Sequence, residues 1–175
     1  MVLRLPRQVE SDPRGPQLLR NLATHTRLLW PGSETRIPAA GMTPELAEAL
    51  RSAHCAGRVV RSLENAERLL AAEERGQRMA DRQSGVPRGA RVSRLLLLAN
   101  DGAERFYRQI DTLLGSHGPR VLAVLLEMDE HGLGGLLFGP GQVARLLMVE
   151  HKEAVGSVLL AMAGQWEQSG GGSAA

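Results

Sequence analysis

The chain has 175 residues and a formal net charge of +2, and 43% of its residues are hydrophobic but only 3% aromatic. This length suits one domain of ordinary size, with a core built mainly from Leu, Val and Ala. Cys55 is the only cysteine, which excludes an internal disulfide bond and a cysteine-based zinc site. No apolar run approaches the roughly 20 residues of a membrane helix, and no secretory signal is recognisable. We therefore expect a cytoplasmic protein that contacts no membrane.

The distribution of proline and glycine divides the chain into a folded part and two ends. Three prolines among charged residues predict a flexible arm over residues 1–18, and a run of Gly, Ser and Ala predicts a flexible tail over 169–175. We expect a single domain over 19–168, with its core at 43–166. The polar stretch from about 73 to 89 is predicted to be an insertion in that domain.

The first half of the core predicts two helices separated by a short strand. Thr43-Pro44-Glu45 combines an N-cap hydroxyl, a proline in the first turn and a carboxylate, which together favour a helix start. Residues 58–61 follow as a short strand, and Ser62 caps the next helix. From 73 to 81 that helix is polar all round, so its second half is predicted to project into solvent.

The second half of the core begins with the strongest strand signal in the sequence. Within residues 92–99, the run from Leu95 to Ala99 is apolar on both faces, so both faces of this strand must be covered. The period then becomes that of a helix over 103–115, and 121–127 is again continuously apolar. Three elements follow: a short helix around Leu133, a strand at 143–149 and a helix at 152–166.

This alternation of helices and strands predicts an α/β fold. Weaker signals place a short helix within 17–29 and a short strand at 35–37. A central four-stranded sheet, parallel or mixed, would be covered by helices on both faces in a three-layer α/β/α sandwich. The arginine-rich helix would project from this body.

Polar residues follow three predicted strands: Asn100-Asp101, residues 127–131 and residues 150–152. If these strands run parallel, their carboxyl ends share one edge, which is where open α/β sheets bind ligands. The side chains that would meet there are Asp101, Asp129, His131 and His151. Together they could support metal-dependent hydrolysis. The carboxylates also stand where helix N-caps are needed, which is the simpler interpretation.

No sequence motif establishes an enzyme. The glycine-rich strings at 132–135 and 138–141 lack the lysine and hydroxyl residue of a phosphate-binding loop and the spacing of a dinucleotide fingerprint. A nucleophile elbow is absent, and nothing indicates a cofactor or a bound metal.

Arginines outnumber acidic residues between positions 58 and 94. The arginines of this segment are Arg58, Arg61, Arg68, Arg75, Arg78, Arg82, Arg88, Arg91 and Arg94. Such a surplus could follow the backbone of a nucleic acid. It could equally be a solvated helix with intrahelical pairs such as Glu74–Arg78, and no aromatic residues are present there to stack on single-stranded bases.

Several short strings are shared with a known family. They are Ala56-Gly57-Arg58-Val59-Val60, Leu97-Leu98-Ala99-Asn100-Asp101, Leu133-Gly134 before Leu136-Leu137, and residues 143–149 followed by a helix from Lys152. In these strings and in the order of elements over about 53–163, the chain resembles the kink-turn RNA-binding ribosomal protein superfamily, which includes the pelota C-terminal domain. The resemblance implies a compact α/β/α sandwich that binds structured RNA.

The resemblance also implies which residues would face RNA. The family signature Gly-x-Asn-Glu, followed by a lysine, falls on Ser62-Leu63-Glu64-Asn65 and Arg68. Here serine replaces glycine, the Asn and Glu are exchanged, and the insertion is extra. The implied contacts are Glu64, Asn65 and Arg68, with Glu150, His151 and Lys152 of the loop after the last strand. Arg58 and Arg61 of the arginine-rich segment complete the candidate RNA-binding set.

Three hypotheses follow from the sequence. The leading one is a non-enzymatic α/β/α domain that binds structured RNA in translation or in association with the ribosome. The second is a small metal-dependent hydrolase that uses the strand-end Asp and His residues. The third is a protein–protein interaction module that docks through the helix at 73–83.

Overall fold

The computed structural model describes residues 3–85 and 91–169, without the side chains of 167–169. The helices are α1 Arg7–Glu10, α2 Gly15–Thr24, α3 Pro44–Cys55, α4 Leu63–Ser84, α5 Glu104–His117, α6 Glu130–Phe138 and α7 Lys152–Ser169, with a 3-10 turn at Gly118–Arg120. The strands are β1 Thr26–Leu28, β2 Arg36–Ala40, β3 Val59–Arg61, β4 Arg94–Leu98, β5 Val121–Leu126 and β6 Leu146–Val149. Nearly all of the predicted tail (170–175) and the end of the predicted insertion (86–89) lie outside the described residues.

The strands form one six-stranded mixed sheet in the order β1-β2-β5-β4-β6-β3. Strands β2, β5 and β4 are parallel, β1 is antiparallel to β2, and β6 is antiparallel to both β4 and β3. The α/β class is confirmed, but the prediction of four strands is wrong. The sheet gains β2, which the weak signal at 35–37 indicated, and β1, whose mostly exposed residues give no hydrophobic pattern.

Two separate clusters of buried residues lie on the two faces of the sheet. Leu95 and Leu97 of β4 pack into one cluster with residues of α1, α2, α3, α6 and α7. Leu96 and Leu98 pack into the other cluster with residues of α4 and α5. Successive side chains of a strand point to opposite faces, so an unbroken run of leucines supplies both clusters at once.

The N-terminal segment differs from the flexible arm that the prolines predict over 1–18. From Leu3 onward it is described, and Leu5 and Val9 are buried in the core beside α7. The Val92 N–H donates to the Arg4 carbonyl at 2.8 Å, which ties the segment to the residues before β4. Two buried apolar side chains thus hold a stretch whose composition alone favours disorder.

The long helix α4 has two parts with different surroundings. Ala66 and Leu70 are fully buried against the sheet, and no residue of the helix beyond Leu70 is buried. The helix nevertheless continues to Ser84, with Gly85 in the left-handed conformation after it. None of the helices in the described ranges has the length and apolarity to cross a bilayer.

Candidate nucleic-acid interface

The strand directions create two edges of the sheet with different chemistry. We term the edge at which β2, β5 and β4 end the carboxyl edge, and the opposite edge the amino edge. Because β6 is antiparallel to β4, it begins at the carboxyl edge, and Glu150, His151 and Lys152 follow it at the amino edge.

The predicted strand-end site is therefore not assembled. Asp101, Asp129 and His131 lie at the carboxyl edge, whereas His151 lies at the opposite one. Within the described part of the chain, no group of three His, Cys, Asp or Glu side chains is placed to hold a metal ion. The structure gives the hydrolase hypothesis no common site for its four residues.

The carboxylates at the carboxyl edge bind backbone N–H groups of α6. Asp129 Oδ1 accepts a hydrogen bond from the Gly132 N–H at 2.7 Å, and Asp101 Oδ1 accepts one from the Glu130 N–H at 3.0 Å. These are contacts of a helix N-terminus, which has N–H groups without helical partners. The simpler interpretation of both aspartates as capping residues is confirmed, while His131 is exposed nearby.

The turn between β3 and α4 uses several of the predicted RNA-binding side chains internally. Arg61 Nη2 donates to the Val143 carbonyl at 2.5 Å, and its guanidinium lies 4.3 Å from the centroid of the Phe138 ring. Asn65 Nδ2 donates to the Arg61 carbonyl at 3.0 Å. Arg61 and Asn65 thus fix the turn against the loop that follows α6.

Ser62, at the glycine position of the family signature, has an unusual backbone conformation. Its φ is 84° and its ψ is 147°, in a region that only glycine adopts without strain. Its hydroxyl accepts a long hydrogen bond of 3.3 Å from the Asn65 N–H. Serine therefore keeps the backbone shape of a glycine turn and adds an N-cap oxygen to α4.

Three arginines form a stripe on the side of α4 that points away from the sheet. Arg68, Arg75 and Arg82 are seven residues apart, which places them on one helix face at intervals of roughly 10 Å. This face is opposite Ala66 and Leu70, and all three arginines are exposed. Arg75 and Arg82 contact no carboxylate among the described residues, and Arg68 has only an exposed pair with Glu64 at 3.3 Å.

A second group of predicted residues meets at the amino edge. A cleft of about 520 Å³ lies between α3 and α7 and is lined in part by Arg58, His151 and Ser157. Arg58 is exposed and has no side-chain partner in the described ranges. His151 adopts a positive φ of 79°, and its Nδ1 accepts a hydrogen bond from the Glu153 N–H at 3.4 Å. Lys152 follows, exposed, at the first position of α7.

A buried ion cluster supports α4 at the amino edge. Glu73 accepts hydrogen bonds from Arg94, the shortest at 2.7 Å, and from Arg120 Nη1 at 3.0 Å. Burial raises the pKa of Glu73, but the hydrogen bonds from Arg94 and Arg120 outweigh it, and the net pKa is below the usual value. Arg94 and Arg120 are thereby occupied, so they do not add free charge to the surface.

The structure thus divides the predicted RNA-binding set into three groups. Arg61, Asn65 and Glu64 serve the β3–α4 turn and its neighbour Arg68, while Arg58, His151, Lys152 and Glu150 lie at the amino edge. The stripe that includes Arg75 and Arg82 was not among the predicted contacts. Its signal, a spacing of seven in a helix, was present in the sequence.

Comparison with known proteins gives low-identity structural similarities. No protein-family model matches the chain, and no curated protein matches it. A protein of unknown function from Bacillus halodurans is 17% identical, with a TM-score of 0.44, and the alignment covers 70% of this chain and 99% of that one. The Giardia lamblia 15.5kD RNA binding protein is 16% identical, with a TM-score of 0.45, and the alignment covers 71% of this chain and 86% of that one.

Proposed function

We propose that this protein binds structured RNA through a basic surface made by the outward face of α4 and the neighbouring amino edge. The contacting side chains are Arg58, Arg68, Arg75, Arg82 and Lys152. Helix α4 packs over β3 and β6, the strands that Arg58 precedes and Lys152 follows, so both parts belong to the same side of the molecule. His151 and Glu150 shape the amino edge, and Arg61, Glu64 and Asn65 hold the turn from which α4 begins.

The observation that carries this proposal is the arginine stripe. Between Arg68 and Arg82 the outward face contains Ala71, Ala72 and Met79 but no acidic residue, because the acids of α4 lie on its flanks. Arginine binds phosphate oxygens through a planar fork, so a row of unneutralised guanidinium groups suits a sugar–phosphate backbone. Such contacts position a protein on RNA without reading its sequence.

The absence of aromatic residues from this stretch of α4 favours a structured RNA over a single strand. Proteins that bind single strands stack bases on aromatic side chains, whereas A-form RNA is recognised through its shape, phosphates and 2′-hydroxyls. The proposal extends to a role in translation or at the ribosome, as the family resemblance of the sequence implies. Cosedimentation of the protein with ribosomes at low salt tests that part separately.

The direct test removes the stripe and compares it with an equal loss of charge elsewhere. The variant Arg68→Gln/Arg75→Gln/Arg82→Gln keeps good helix formers at all three positions. The control variant Arg7→Gln/Arg20→Gln/Arg51→Gln removes three exposed arginines of α1, α2 and α3, on the other face of the sheet. Binding to fragmented ribosomal RNA is measured by filter retention at about 50 and 200 mM salt.

We expect wild type and control to bind at low salt and to weaken as salt rises. The stripe variant should lose at least about tenfold in affinity and should show a shallower salt dependence, by up to about 0.7–0.9 in slope per lost phosphate contact. Equal loss in the two variants would reduce the effect to net charge and would contradict an interface on α4. Absence of binding by wild type at low salt would contradict the proposal outright.

Met79 favours protein docking as a second candidate function for the same helix. Its side chain is 62% exposed on the outward face beside the arginines. If α4 docks onto a protein, Met79→Gln should reduce capture of that partner and leave RNA retention unchanged. If RNA is the ligand, Met79→Gln should retain affinity that the arginine variant loses.

A further inference from the structure

A cavity of about 430 Å³ opens at the carboxyl edge, remote from the arginine stripe. Its walls come from the end of α2, the start of β1, the end of β2, the residue after β5 and the last turns of α7. The volume is in the range of small-ligand pockets, about 300–1,000 Å³. It lies beyond the ends of the parallel pair β2 and β5, where open α/β sheets place ligands.

One wall is fixed by a side chain that imitates a peptide group. Gln165 Oε1 accepts a hydrogen bond from the Gly41 N–H at 2.8 Å, and its Nε2 donates to the Gly41 carbonyl at 3.2 Å. Two hydrogen bonds from one carboxamide hold α7 against the end of β2. The neighbouring residue, Trp166, is therefore held at the cavity wall.

The same wall carries a stacked aromatic pair. The rings of His25 and Trp166 are nearly parallel, 13° apart, with their centroids separated by 5.7 Å. Trp166 is partly buried and His25 is exposed, so the free face of the stack belongs to His25. Aromatic residues are only 3% of the chain, yet one of its two tryptophans stands here instead of in the core. A planar heterocycle can extend such a stack.

Charges of both signs stand at the mouth of the cavity. Arg27 Nη2 and Glu127 Oε1 are 3.4 Å apart, and their side chains are 65% and 58% exposed. An exposed pair at this separation contributes little to stability, so each group is free to exchange its partner for a ligand. Glu127 offers only acceptor oxygens, and Arg27 offers only donors.

We propose that this cavity binds a guanine nucleotide. The base stacks on His25, the adjacent N–H groups of its Watson–Crick edge donate to the Glu127 carboxylate, and the phosphate accepts hydrogen bonds from Arg27. Adenine presents an acceptor where guanine presents one of these N–H groups, so Glu127 favours guanine. The ligand is either a free nucleotide or an unpaired guanine within an RNA, since both carry the same base and phosphate.

The test uses the tryptophan of the site as its reporter. The variant Trp30→Phe leaves Trp166 as the single tryptophan of the full chain. In this background, GMP, AMP, CMP and guanosine are titrated while Trp166 fluorescence is followed. We expect saturable quenching by GMP, weaker binding of AMP and CMP, and weaker binding of guanosine because it lacks the phosphate.

Three substitutions and one control divide the contacts. His25→Ala should weaken GMP binding by at least about fivefold, whereas His131→Ala, an exposed histidine outside the cavity, should not. Glu127→Gln should bring GMP and AMP affinities together, and Arg27→Gln should weaken GMP to the level of guanosine. No saturable quenching up to about 5 mM GMP, or quenching that His25→Ala leaves unchanged, would overturn the proposal.

A second titration separates the two sources of the base. A short oligoribonucleotide with one unpaired guanine that binds more tightly than GMP assigns the cavity to RNA, and the reverse order assigns it to a free nucleotide. The Arg68/Arg75/Arg82 variant should bind GMP as wild type does. Failure of nucleotide binding would therefore leave the RNA interface of α4 standing, and failure of that interface would leave the cavity standing.

Discussion

The two edges of the sheet differ in charge because the helices between them have a direction. Helices α4 and α5 begin at the carboxyl edge and end at the amino edge. Helix N-termini favour carboxylates and helix C-termini favour cations. Asp101 and Asp129 accordingly bind N–H groups at the carboxyl edge, while arginines gather at the other. The edge at which α/β folds commonly bind ligands thus has much of its acidic chemistry committed to capping, and the amino edge retains unneutralised cations.

The amino edge should be the more sensitive to loss of a single charge. Glu73→Gln leaves Arg94 and Arg120 without their carboxylate, and these side chains are only 19% and 12% exposed. We expect a loss of about 2–3 kcal/mol in the free energy of unfolding, measured by urea denaturation. The matched variant Glu64→Gln, in a pair that is 84% exposed on the acid side, should change it by less than about 0.5 kcal/mol. Equal effects would mean that Glu73 holds nothing together.

Acid should weaken the amino edge selectively. The pKa of Glu73 is below its usual value of 4.5 because Arg94 and Arg120 outweigh the effect of burial. A carboxylate with a lowered pKa stabilises the fold at pH values above its unfolded pKa, and this contribution is lost as the pH falls through the folded pKa. The difference in stability between wild type and Glu73→Gln should therefore shrink as the pH drops below 4.5. A constant difference from pH 7 to acid would contradict the ion cluster.

The carboxyl edge should respond to a smaller, uncharged change. The Tyr107 hydroxyl donates to the Ala99 carbonyl at 2.6 Å and accepts from the Gly102 N–H at 3.0 Å, which closes the turn after β4. Tyr107→Phe should cost about 1–2 kcal/mol, because two buried backbone groups lose their partner. Burial raises the pKa of Tyr107 above its usual value of 10.0, so this loss should be the same at every acidic pH.

The strained turn that begins α4 should yield the smallest effect, and one of opposite sign. Ser62→Gly relieves a φ of 84° at the expense of a 3.3 Å cap hydrogen bond. We expect a gain of about 0.5–1 kcal/mol in thermal or urea unfolding. Thr43→Gly is the control, since Thr43 caps α3 at a φ of −118° and its loss should destabilise by a few tenths of a kcal/mol. Destabilisation by both changes would show that the cap outweighs the strain.

The sequence was sufficient for element type and insufficient for strand direction. The leucines of β4 and the capping residues Thr43 and Asp129 carry local signals, and each element that they predicted is present. Direction is not local: the four residues of β6 are apolar on both faces whichever way the strand runs. This reversal moved His151 to the opposite edge from His131 and separated the predicted strand-end site.

The missed elements had signals too weak for periodicity to detect. In β1 the side chains are mostly exposed, so Thr26–Leu28 shows no alternation. In the N-terminal segment, Leu5 and Val9 are single apolar residues among prolines and charges, and their burial depends on surfaces made by α7. The cavity that involves His25 and Trp166 joins residues from opposite ends of the chain, which no local pattern could bring together.

The clasp between Gln165 and Gly41 also constrains the order in which the protein can be completed. It links positions 124 residues apart, and α1 and α2 pack on the same helix, α7. Chains emerge from synthesis at about 5–20 residues per second, so this covering helix arrives last. Until then Leu18 and Leu22 have lost no contact with water to α7, and the first quarter of the nascent chain is the part most in need of protection from aggregation.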